Sequence, residues 1–104
     1  MKSLLAALLL FCLASPVLAH KVNIFAYAEG ERVYSESYFP DGRPVSEGKV
    51  LVFDSQEQLL LEGQTDQAGL FQFKAPAAVD MTLEIDAGMG HKNQFLLKKS
   101  AFKE

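Results

Sequence analysis

Over residues 81–87 the chain sets an apolar side chain at every second position, Met81, Leu83, Ile85 and Ala87, with Thr82, Glu84 and Asp86 between them. A strand turns successive side chains to opposite faces, so this spacing makes one apolar and one polar face. A helix would scatter the same residues around its axis. The pattern returns in short pieces along the chain, and each piece ends at a turn signal. A chain built this way is restricted to brief strands joined by tight connections.

Residues 21–28 are rich in β-branched and aromatic side chains, with Val22, Ile24 and Ala26 on one face. Glu29, Gly30 and Glu31 form a link short enough to make a hairpin with residues 32–39. The run Pro40-Asp41-Gly42-Arg43-Pro44 is a turn, because proline fixes φ and glycine accepts positive φ. Further strands are expected at 49–54 and 59–63. An Asp66-x-x-Gly69 turn then leads into Leu70-Phe71-Gln72-Phe73, whose two phenylalanines share a face. A loop at 75–80 precedes the alternating segment, and residues 94–98 form a last strand. No amphipathic helix stands out after residue 20. The fold class expected is all-β: a small antiparallel Greek-key β-sandwich of about seven strands.

The first 19 residues follow other rules. Met1-Lys2 is a short basic start, residues 4–13 are an almost unbroken apolar run, and Val17-Leu18-Ala19 offers the small residues a signal peptidase accepts. The apolar run is too short for a comfortable membrane span. The organisation expected is a signal peptide at 1–19, cleaved after Ala19, and a β-sandwich domain at 20–104, periplasmic or otherwise extracytoplasmic. The polar residues 98–104 give no sign of a second anchor.

Cleavage would remove 19 of the 104 residues and leave 85, near the lower end of what folds without staples. Cys12, the chain's one cysteine, lies in the leader, so a thiolate metal site and a cysteine nucleophile are both excluded from the mature domain. With Lys2 gone, nine Lys and Arg face 13 Asp and Glu, a net charge of −4. No basic stripe is present, and nucleic acid is not an expected partner.

Cleavage after Ala19 would also place His20 at the new terminus. A free α-amine beside an imidazole closes a chelate on one metal ion, and both nitrogens are readily deprotonated near neutral pH. The other histidine, His91, sits in a Gly88-Met89-Gly90 turn and could add a third nitrogen. Three nitrogens with room for oxygen or water ligands suit Cu(II) or Ni(II), and Co(II) less tightly; the affinity order alone favours copper. Met89 is a weaker candidate as a soft thioether donor, although a methionine between glycines is more often a turn cap packed on the core. Glu36, Glu29 and Asp86 are weaker oxygen donors that also read as solvated strand or turn residues. Tyr27, Tyr34 and Tyr38 are expected at the sandwich surface with their hydroxyls in water.

The segment Thr65-Asp-Gln-Ala-Gly-Leu-Phe-Gln-Phe73 resembles the turn and strand of carboxypeptidase-regulatory-like, or transthyretin-like, sandwiches. Four segments together carry a more specific likeness: His20-Lys-Val-Asn-Ile-Phe-Ala-Tyr-Ala-Glu-Gly30, Tyr38-Phe-Pro-Asp-Gly42, Val52-Phe-Asp-Ser55 and Ala87-Gly-Met-Gly-His91. They resemble small exported accessory components of bacterial nickel and cobalt uptake systems of the energy-coupling-factor type. The resemblance implies a protein that binds or presents Ni(II) or Co(II) to a membrane permease. The alternatives are a copper-binding periplasmic protein and a structural or interaction module with no metal. An enzyme is not expected, since no Ser-His-Asp set, phosphate loop or paired acids stand out. A terminal histidine with a second one resembles the copper brace of oxidative polysaccharide-cleaving enzymes, yet 85 residues leave little area for a polymer.

Overall fold

The computed structural model describes residues 21–102, which form two packed antiparallel sheets. The first sheet has three strands in the order β1-β2-β5: β1 (Asn23–Glu29), β2 (Arg32–Tyr38) and β5 (Leu70–Lys74). The second has the order β4-β3-β6-β7: β4 (Leu59–Gln64), β3 (Lys49–Phe53), β6 (Met81–Asp86) and β7 (Lys92–Leu97). Three hairpins, β1–β2, β3–β4 and β6–β7, are joined by connections that change sheet, and β6 returns beside β3 in Greek-key fashion. The all-β sandwich expected from the alternation is the fold observed.

Hairpin chemistry explains the first turn. Glu29 pairs with Arg32 across Gly30 and Glu31, and Gly30 takes φ 59°, the positive value that a two-residue loop needs at its first position. The core lies between the sheets. Ile24, Ala26, Val33 and Phe73 face inward from one, and Val50, Val52, Met81, Leu83, Ile85 and Leu97 from the other. In β6 every inward residue of the alternating segment is buried, and Ala87 packs partly against the core. Phe71 and Phe73 share the inner face of β5 with ring centroids 5.8 Å apart.

Along one side the sheets meet where β1 lies over β7. There Asn93 Nδ2 donates to the main-chain carbonyl of Val22 at 2.8 Å, and Phe25 meets Phe95 edge to face at 5.4 Å. One end of the sandwich is fastened by its crossovers. Ser37 N donates to Gly69 O (2.9 Å), Val45 N to Ser37 O (3.0 Å) and Thr65 N to Gly48 O (2.9 Å). Buried Thr65 adds its hydroxyl, which accepts from Gly48 N at 2.8 Å and donates to Val45 O.

Three local readings change. β1 begins at Asn23 and β7 at Lys92, so the last strand starts two residues before the expected 94. A 3₁₀ turn, Lys99–Phe102, follows β7, and its Phe102 packs against the core. Tyr38 does not leave its hydroxyl to water: it donates to Glu36 Oε1 at 3.0 Å.

Candidate metal centre

His91 closes the β6–β7 connection. Its amide donates to Gly88 O (2.9 Å) and its carbonyl accepts from Ala87 N (2.8 Å), while Asp86 Oδ1 caps Gly88 N at 2.9 Å. Between these bonds Gly88, Met89 and Gly90 take φ of 88°, 55° and 84° in succession. A methyl group on Gly88 would meet nothing within 4 Å, so glycine is set there by the backbone angle and not by space.

The imidazole of His91 is half-buried and stands edge to face with Phe39, centroids 5.9 Å apart at 87°. Phe39 ends the β2 side of the 40–43 turn, which is closed by Phe39 N to Arg43 O (2.8 Å) and Gly42 N to Phe39 O (2.9 Å). Over the same ring lies the Arg43 guanidinium, its Cζ 4.8 Å from the centroid. Asp41 Oδ2 holds Arg43 Nε at 2.8 Å, and Asp41 Oδ1 accepts from Arg43 N at 3.0 Å. The amide of Arg43, and next its guanidinium, keep the exposed Asp41 carboxyl below the usual carboxylate range. An ion pair, a cation over a ring and a ring against an imidazole thus run in one line from the 40–43 turn to the 87–91 turn.

The other candidates are placed as follows. His20 lies outside the described residues. Glu36 projects from the outer face of β2, in register between Phe25 and Leu70, and accepts the Tyr38 hydroxyl. That bond, with burial second, raises the Tyr38 phenol above its ordinary value. Glu29 ends the seven-residue β1, about 20 Å of strand from its start, which removes it from any site at the His91 end. Asp86 caps the turn and lies 4.0 Å from Lys92 Nζ. Among the described residues no three His, Cys, Asp or Glu side chains are grouped to hold a metal ion.

Met89 is not a cap on the core: the residue is 89% exposed. A left-handed backbone costs a non-glycine residue about 1 kcal/mol, and asparagine tolerates it better. Met89→Asn is therefore expected to raise stability by about 0.5–1 kcal/mol, read as a higher urea midpoint with an unchanged slope. A fall would mean that the thioether makes contacts in solution that outweigh its backbone cost.

Two residues that build this end escaped the sequence reading. In the sequence Phe39 reads as the end of the second strand and as part of the 38–42 segment of the resemblance, and Asn93 as a residue between the turn and the last strand; neither reading points to the contact it makes.

No family model matches the chain. It is similar to an uncharacterized protein of Haemophilus influenzae, 30% identical over 91 residues, which covers 85% of this chain and 56% of the relative. The chain thus spans about half the length of that relative. No solved structure matches it.

Proposed function

We propose that this is an exported metal-binding protein that holds a divalent transition metal through the α-amine and imidazole of His20 and the imidazole of His91. In the role suggested by its resemblance it presents Ni(II) or Co(II) to a membrane permease. The observation that carries the reading is the Asn93 Nδ2 to Val22 O bond, which ties the chain just after His20 to the strand just after His91. Only Lys21 stands between His20 and Val22, two residue steps of at most roughly 7 Å in all. His91 lies equally close in sequence to Asn93. Three of the four segments behind the nickel and cobalt resemblance therefore converge: the one opening at His20, the one containing Phe39 and the one ending in His91.

A competitive titration of Ni(II), Co(II) and Cu(II) tests the reading, using protein that begins at His20 and a form carrying one extra alanine before it. The extension removes the terminal chelate and keeps both imidazoles. The His20 form is expected to bind one equivalent, the extended form on the order of a hundredfold more weakly, about 2.7 kcal/mol. His91→Ala is expected to cost about tenfold or more. The metal bound most tightly distinguishes nickel or cobalt supply from copper handling. Equal, weak binding by all forms would leave the domain as a structural module. Mass determination of the exported protein checks the proposed cleavage after Ala19.

A further inference from the structure

We infer that Phe39 is a positioning residue for the metal centre: its ring, braced by Arg43 and Asp41, sets the orientation in which the His91 imidazole meets the metal. The inference rests on the proposed metal site and adds to it a residue that cannot itself be a ligand.

An imidazole on a turn has two side-chain torsions to lose before it can bind. If the ring samples several rotamers, each productive encounter must first select one, and affinity falls by the fraction of time the right one is absent. Metal-binding histidines are commonly held by a hydrogen bond from the second ring nitrogen. Here the fold sets an aromatic wall beside the ring. Phe39 meets the imidazole at 87°, the edge-to-face arrangement that ring quadrupoles favour.

The wall is itself anchored. Phe39 packs partly against the core, both main-chain bonds of the 40–43 turn end on it, and its ring lies under the Arg43 guanidinium at 4.8 Å. Asp41 binds Arg43 both through Oδ1 to the amide and through Oδ2 to Nε. This chain of contacts passes from the end of β2 to the β6–β7 turn, so the imidazole is steered by the opposite sheet. The cation is placed on Phe39 and is already paired with Asp41, which limits its repulsion of a bound metal.

The test is a double-mutant cycle in protein that begins at His20, titrated with Ni(II) and, separately, with Cu(II) for spectroscopy. Phe39→Leu keeps an apolar side chain but removes the ring. It is expected to weaken Ni(II) binding about tenfold and to shift the visible and electron paramagnetic resonance spectra of the Cu(II) form. Phe39→Tyr, which keeps a ring, is expected to restore both. In a His91→Ala background Phe39→Leu should have no further effect on the residual affinity. The inference is overturned if Phe39→Leu leaves affinity and spectra unchanged while His91→Ala weakens binding, a result that leaves the metal reading intact. It is also overturned if Phe39→Leu is equally costly without His91, since the ring would then act through the fold alone. If His91→Ala itself changes nothing, the metal reading fails and takes the inference with it.

Discussion

Replacing Gly69 by alanine is expected to lower the stability of the domain by about 3 kcal/mol, more than a single added methyl costs at any ordinary turn. Two independent costs fall on that position. Its φ of 81° belongs to the left-handed region, which charges any L side chain about 1 kcal/mol. The added Cβ would also stand 2.5 Å from the Ser37 carbonyl oxygen and 3.2 Å from both Pro44 Cβ and Val45 N. Backbone on both sides cannot swing away as a flexible side chain would. Relief requires lengthening Ser37 N to Gly69 O and Val45 N to Ser37 O, the bonds that join β2 to both crossovers. Gly42 provides the control, because its φ of 94° carries the same backbone cost with nothing within 4 Å of a new Cβ. Gly42→Ala should therefore lose only about 1 kcal/mol. Urea unfolding followed by far-ultraviolet circular dichroism measures both, since the chain has no tryptophan. Equal losses at the two sites would show that the close approach at Gly69 relaxes freely.

What the sequence makes legible, and what it leaves hidden, divides along the distance between interacting residues. The alternation of Met81, Leu83 and Ile85 is local, and burial of one face of a strand requires it; all three are fully buried. The Asp66-x-x-Gly69 turn is equally local: Asp66 Oδ1 accepts from Ala68 N and Leu70 N, and Gly69 supplies the positive φ. The contact of Asn93 with Val22 spans 71 residues, and no periodicity encodes which carbonyl an asparagine amide will reach. Phe39 against His91 is hidden for the same reason, since it depends on how two turns from different sheets come together. The outward turn of Met89 is hidden on a different ground. Three successive left-handed residues turn its side chain outward, and their φ values follow from the whole loop and not from the flanking glycines alone. The strand ends shifted because side-chain pattern reports a face, whereas pairing with a neighbouring strand sets where the strand begins.

The same long-range logic governs the second large effect, at Thr65. Thr65→Val is nearly isosteric, yet it is expected to cost about 3 kcal/mol. The hydroxyl both accepts from Gly48 N and donates to Val45 O, so its removal leaves a buried amide and a buried carbonyl facing a methyl group. Desolvation of each without a partner costs about 1–3 kcal/mol, which outweighs the modest gain from hiding one more apolar group. Thr65→Ser keeps the hydroxyl and drops only the methyl, and should lose about 1 kcal/mol. A valine variant as stable as the serine variant would mean that other groups satisfy Gly48 N and Val45 O.

Thr65 and Gly69 fasten the same crossover through Val45, whose amide bonds Ser37 and whose carbonyl bonds Thr65. The double variant is therefore expected to lose less than the sum of the two single losses, by about 0.5 kcal/mol or more, because either change already loosens the shared segment. That segment follows directly on the 40–43 turn that carries Phe39. The isolated bridge of Tyr38 with Pro44 clamps the turn's base, so the end of the sandwich proposed to hold the metal is also the end that the buried bonds of Thr65 fasten. Pre-organisation of this kind lets two turns from opposite sheets present their rings in a fixed relation, with no third side chain needed between them.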